Sequence, residues 1–189
     1  IAAAVDAAKV PFLISFRRRT DAVILEAKHL VESGAIGKVT HLRVRDAHDG
    51  VSSGWLPDSF FDKAQCGGGA MMDLGAHPMY LCLYFLGEPV SVSSVFTESG
   101  GKGVDDNCVS VLRYADGAIA VSETAFLSKH CPFSLEINGT KGSICVGGAL
   151  EDGVLLNTDD GKKLIPSAEI PYSSPAPVPL FVECVREGK

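Results

Sequence analysis

Apolar and polar residues alternate through much of this chain. Over residues 38–47, Val39, His41, Arg43 and Arg45 alternate with Thr40, Leu42 and Val44. A period of two predicts a strand with one wet face. The same reading predicts strands at 90–97, 107–114, 118–126, 133–138, 142–146 and 153–157, with a weaker one at 162–165. Turn residues separate them: Ala115-Asp116-Gly117, Asn138 to Gly142, and Asp159-Asp160-Gly161. Such short connections suit antiparallel neighbours.

Helical signals interrupt this β pattern. Residues 1–10 read as a helix and 11–16 as a strand. Thr20 or Asp21 caps a helix that runs through Ser33 and stops at Gly34, with Ala22, Leu25, Leu30 and Val31 as its apolar positions. Lys28 and Glu32 on it form an i, i+4 pair on a solvated face. Residues 48–66 form a long loop, and 166–179 are Pro- and Ser-rich and irregular. A last helix spans 179–187 and stops at Gly188.

The longest apolar run follows three glycines, Gly67 to Gly69. It holds Ala70, Met71, Met72, Leu74, Ala76, Met79, Leu81, Leu83, Phe85 and Leu86 before Gly87. Apolar on every side, it reads as a helix buried all round. Two ionisable groups interrupt it, Asp73 and His77, four residues apart and so one turn apart on one face. A buried carboxylate without a partner is costly. The pair is therefore either a self-satisfied hydrogen bond inside a core or an acid–base pair. In the second case His77 moves a proton and Asp73 fixes its tautomer. Pro78 removes a backbone donor and predicts a kink just after His77.

Together these elements predict an α+β architecture: one large, mostly antiparallel sheet with helices on one face. Residues 107–126 are apolar on both alternations, so the uncovered face is expected to associate and form a homodimer.

Composition narrows the function classes. The chain has 189 residues, 46% hydrophobic and 21% charged, with a net charge of −6. That charge gives no electrostatic case for a nucleic-acid partner. No uncharged run approaches the ~18 residues of a membrane span. Six cysteines, none in a Cys-x-x-Cys, read as reduced core thiols in a cytoplasmic protein rather than as a zinc site. His41 and His48 lie on opposite faces of an ideal strand, which gives no metal site.

Three further residues are candidates for contact with a small molecule. Arg17, Arg18 and Arg19 end the predicted 11–16 strand. Ligands of open α/β sheets gather at such strand ends, so one arginine, taken as Arg19, either reaches substrate or is solvated charge. Trp55, with Phe60 and Phe61, either walls a small molecule or plugs the loop onto the core. The third, Tyr80, lies three residues beyond His77.

Gly67-Gly68-Gly69-x-x-x-Asp73-x-Gly75-x-His77 resembles the substrate-domain signature of the Gfo/Idh/MocA oxidoreductases. Phe16 to Ala22, followed by Gly34 to Gly37, is similar to a second stretch of that family. The resemblance implies NAD(P)-dependent dehydrogenation of sugars, inositols or related polyols, with Asp73 and His77 in the active site. The family motif often carries an aspartate where this chain has Tyr80. The implied fold is like the C-terminal domains of dihydrodipicolinate reductase and glyceraldehyde-3-phosphate dehydrogenase. Residues 1–17 are then expected to be the last helix and strand of a Rossmann nucleotide-binding domain that precedes the chain. Residues 18–189 are expected to be the substrate and oligomerisation domain. NAD or NADP would be bound mainly by the preceding domain, since the Gly67 triplet follows a polar loop rather than a strand. A non-catalytic binding or assembly module on the same fold is one alternative, and an NAD-dependent glycosidase a lesser one.

Overall fold

The computed structural model describes residues 1–172 and 177–188. Eight strands form one sheet in the order β2-β3-β4-β1-β5-β6-β7-β8. They are β1 (Val39–Ala47), β2 (Ser91–Thr97), β3 (Asn107–Arg113), β4 (Ile119–Ala125), β5 (Ser134–Gly139), β6 (Gly142–Gly147), β7 (Val154–Thr158) and β8 (Gly161–Ile165). β1 and β4 pair in parallel and every other pair is antiparallel. Two meanders, β2-β3-β4 and β5-β6-β7-β8, thus flank the central β1. Every strand expected from alternation between residues 38 and 165 is present, within a residue or two at its ends.

Helices cover one face. α2 (Ala22–Glu32) packs on β6 and β7; after the short α3 (Lys63–Cys66), α4 (Ala70–Asp73) packs on β3 and β4, and α5 (Ala76–Leu86) on β1 and β4. Beneath them the inward alternation is sealed: Leu42, Val44, Leu112, Ala120, Leu135, Ile137 and Ile144 are all 0% exposed. The opposite alternation reaches an uncovered face, where Val109, Val111 and Ile119 stand exposed.

Four expectations need correction. Residues 2–8 are helical (α1, Ala2–Ala8), but 11–16 form no strand. A strand needs a neighbour's N–H and C=O groups, and none of the eight strands pairs with this segment. Phe12, Leu13 and Ile14 consequently lie exposed. Lys28 is not simply solvated. It donates from Nζ to the Tyr84 carbonyl at 3.0 Å and lies over the Tyr84 and Phe85 rings, while its ion pair to Glu32 spans 3.4 Å.

The run after the three glycines is two helices, neither buried all round: Met72 is 59% exposed and Leu83 37%. Finally, the break falls before His77 rather than after it. A proline ring clashes with the carbonyl four residues back, here Leu74, whose oxygen instead accepts the His77 N–H at 3.1 Å. The C-terminal helix α6 (Pro177–Glu187) starts two residues earlier than expected. Residues 173–176 of the stretch expected to be irregular lie outside the described residues.

Candidate functional site

The three glycines prove to be a docking device. Asp105 reaches across to the start of α4: its carboxylate accepts the Gly69 N–H at 2.9 Å and the Met71 N–H at 2.8 Å, and its carbonyl accepts the Ala70 N–H at 2.7 Å. These are donors that a helix start leaves without partners. A Cβ on Gly69 would strike the Asp105 backbone, so only glycine allows this approach. The turn therefore holds α4, and with it Asp73, at a set depth over β3 and β4.

Asp73 ends α4 and His77 lies in the first turn of α5, on either side of the break. Among the described residues no hydrogen bond joins them. His77 Nδ1 instead meets the Tyr80 hydroxyl at 3.1 Å, ring edge to ring face. That hydroxyl also accepts the Arg18 backbone N–H at 3.0 Å. Tyr80 is buried, and burial pushes its phenol upward, so it stays neutral at ordinary pH. Asp73 is exposed at the surface. Partial burial of its carboxyl still pushes it up, against the opposing pull of His48 and His77.

Of the arginines, Arg18 is the one drawn in. Its guanidinium lies 3.5 Å from Asp46 and 3.4 Å from Asp21, and 4.1 Å from the centre of the Phe133 ring. Asp21 spends its carboxylate there and does not cap α2 through its side chain. Arg19 points elsewhere: it lies over the Tyr84 ring at 4.7 Å and lines an open hollow of about 490 Å³ with Phe12, Leu13, Ile14 and Leu180. A 3₁₀ turn over Arg17–Thr20 separates the two directions.

Trp55 is exposed and tilts onto His48 with ring centroids 4.7 Å apart, its Nε1 donating to Asp49 at 3.4 Å. Strand parity, which set His41 and His48 on opposite faces, does not extend to His48. The strand stops at Ala47, and His48 turns to stack on Phe126 at 4.9 Å. The structure thus gathers Asp73, His77 and Tyr80 around the break, with Arg18, Asp46 and His48 beside them, and leaves Arg19 out. A base oriented by a neutral phenol next to a carboxylate can exchange a proton with a bound hydroxyl. Among the described residues no group of three or more His, Cys, Asp or Glu is placed to hold a metal ion.

Comparison with known proteins identifies the family of this fold. The family model described as GFO/IDH/MocA C-terminal domain matches residues 24–145, and the chain belongs to that family. Levoglucosan dehydrogenase of Pseudarthrobacter phenanthrenivorans is 30% identical over 169 residues, 75% of this chain and 43% of that protein. Myo-inositol 2-dehydrogenase of Thermotoga maritima is 30% identical over 166 residues, 82% of this chain and 47% of that protein. The chain spans about half the length of the curated relatives it matches. Among solved structures, levoglucosan dehydrogenase in complex with NADH and levoglucosan superposes with a TM-score of 0.79 at 23% identity, over 99% of this chain and 60% of that one. Aldose-aldose oxidoreductase from Caulobacter crescentus, complexed with glycerol, gives 0.77 at 24% identity, over 100% and 57%. Both share the fold.

Proposed function

We propose that this chain is the substrate-binding and catalytic part of a longer NAD- or NADP-dependent dehydrogenase that oxidises a secondary alcohol of a sugar, an inositol or a related diol. One observation carries the reading: His77 at the helix break, its Nδ1 held by the Tyr80 hydroxyl and Asp73 beside it. The names of the relatives, levoglucosan and myo-inositol dehydrogenases, support the substrate class.

Oxidising an alcohol removes a hydride from carbon and a proton from oxygen. The nicotinamide would take the hydride, and the residues of this chain handle the proton. To accept it at Nε2, His77 must carry its own hydrogen on Nδ1 and donate it to the Tyr80 oxygen. That oxygen has two acceptor sites, one for His77 and one for the Arg18 N–H. Tyr80, rather than Asp73, then sets the tautomer, and Asp73 is left to stabilise the imidazolium and to receive a substrate hydroxyl. Trp55 supplies an exposed ring at the rim for a sugar face. The backbone N–H groups of Gly69, Ala70 and Met71 are already taken by Asp105, so this turn does not fit a pyrophosphate. In this reading the dinucleotide phosphates sit on the preceding domain, to which residues 1–17 belong.

The uncovered sheet face, with Val95, Val109, Val111 and Ile119 exposed, supports a homodimer through that face. Six free cysteines support a reducing, cytoplasmic setting. The deciding experiment is NAD(P)H formation by the full-length protein with levoglucosan, myo-inositol and related polyols. His77→Ala is expected to lower kcat/KM by about 10²–10⁴-fold. A loss below about tenfold, or no turnover by the unaltered protein, would sink the reading.

A further inference from the structure

Arg18 belongs to the arginine triplet that the sequence offers as a contact for substrate, yet its side chain is spent within the fold. One guanidinium nitrogen lies 3.5 Å from Asp46 of β1 and another 3.4 Å from Asp21 at the start of α2. The guanidinium carbon lies 4.1 Å from the centre of the Phe133 ring, just ahead of β5. Asp46 points inward in step with Leu42 and Val44, and its side chain is only 13% exposed. A carboxylate so placed needs a partner, and among the described residues Arg18 is the cation that meets it.

The main chain of Arg18 has a different task. Around the 3₁₀ turn Arg17–Thr20, the Arg17 N–H donates to the Ser15 carbonyl and the Arg19 N–H to the Phe16 carbonyl. The Arg18 N–H instead leaves the turn and donates to the Tyr80 hydroxyl oxygen at 3.0 Å. Among the described residues it has no other acceptor. The same oxygen lies 3.1 Å from His77 Nδ1, and Phe16 packs its ring on Tyr80 with centroids 4.6 Å apart. A single 3₁₀ turn is not stable by itself, and no residue of this one is buried. The Arg18 side chain supplies what the turn lacks. β1, α2 and the approach to β5 hold its guanidinium, and the N–H on the same residue is thereby aimed at Tyr80.

We propose that Arg18 is a positioning residue for His77: its side chain locks the turn, its N–H holds the Tyr80 oxygen, and that oxygen holds the His77 ring with its hydrogen on Nδ1. Arg18 is not a contact for substrate. The catalytic consequence rests on the dehydrogenase reading. The linkage from Arg18 to His77 stands on this chain alone.

Two NMR measurements on this chain test the linkage. Amide exchange at Arg18 should quicken about fivefold or more in Tyr80→Phe, which keeps the ring against Phe16 and removes the acceptor. Ring-nitrogen shifts should show neutral His77 moving from the Nδ1–H form toward the Nε2–H form in Arg18→Met. In a Tyr80→Phe background, Arg18→Met should add little further. A change of equal size in both backgrounds would mean that charge or packing acts on His77 without Tyr80, and would overturn the proposal, as would unchanged exchange. Arg18→Lys keeps the charge but cannot span both carboxylates, so it should move His77 in the same direction; it decides the point if Arg18→Met does not fold. In the full-length protein, with a polyol it oxidises, Arg18→Met is expected to lower kcat about two- to tenfold, the net worth of one hydrogen bond, with KM little changed. An unchanged kcat, with or without a raised KM, would overturn the positioning role. The NMR linkage in a protein that oxidises no polyol would uphold the geometry and reject the dehydrogenase reading.

Discussion

Along β1, Leu42 and Val44 are 0% exposed, while Arg43 and Arg45 between and beyond them reach the open face. The two faces of this sheet are built from the same eight strands and treat charge in opposite ways. On the open face Arg43 forms a two-point pair with Glu123, at 2.8 and 3.0 Å, and approaches Glu136 at 3.7 Å. Its charges are matched sideways, across neighbouring strands, and exposed valines lie toward the β2 and β3 edge. On the covered side Asp73, His77, Asp46 and Arg18 gather near the helix break and the end of β1. Other charges there are single and spread out: Glu26 of α2 and Asp106 are buried, and Lys28 lies over the Tyr84 and Phe85 rings. The contrast separates a face of paired charge and exposed valines from a face that carries the core.

The largest break in this comparison should come from the core. Leu135→Ala is expected to cost about 2–5 kcal/mol in urea unfolding of this chain. Val111→Ala, on the open face of β3, should cost well under 1 kcal/mol. Equal losses at the two positions would mean that both faces are buried in the free chain. Next comes Tyr80→Phe. It leaves the His77 ring nitrogen and the Arg18 N–H without their shared partner, at about 1–3 kcal/mol. In the full-length protein it should lower kcat more than it raises KM, as steady-state kinetics would show.

A pH series sharpens the contrast further. Burial pushes the Cys82 thiol up to about 12, and the Tyr114 phenol likewise to about 12. Both belong to the covered core, where Tyr114 donates to the Cys82 carbonyl at 3.4 Å. Below the unfolded values of about 9 and 10 both groups are neutral in either state and contribute no pH dependence. Above them the unfolded chain ionises first, so stability should fall as pH rises toward 12, by at most about 1.4 kcal/mol per pH unit for each group. Denaturant midpoints that stay flat from pH 9 to 12 would contradict this.

Smaller effects belong to the open face. Val111→Lys should weaken self-association about tenfold or more in sedimentation equilibrium and leave the urea midpoint of the monomer nearly unchanged. Glu123→Gln should cost about 1 kcal/mol or less, and less still in high salt, because its pair with Arg43 is partly solvated.

Much of the fold was legible before any coordinates. β1 announces itself by alternation and the other seven strands by apolar runs between turn residues, β2 among them although none of its residues is buried. Asp73 and His77 stand out in another way: two ionisable groups in an oily run, at a spacing that helical geometry makes meaningful. Several side-chain directions were not legible. Arg18 turns toward Asp46 and Arg19 toward Tyr84 because of how the 3₁₀ turn meets α5, and His48 turns to Phe126 because β1 stops at Ala47. The Asp105 contact with α4 joins residues more than thirty positions apart, and no local pattern encodes it.

What the chain determined by itself is therefore periodic or local: which positions face inward, where elements stop, and which two ionisable groups sit a helical turn apart in sequence. Tertiary structure alone decided which strand lies beside which, that residues 11–16 have no strand to pair with, and that His77 is held by Tyr80 rather than by Asp73. The physical reason is that periodicity depends on the geometry of one element. A hydrogen bond between elements depends on where packing places both ends.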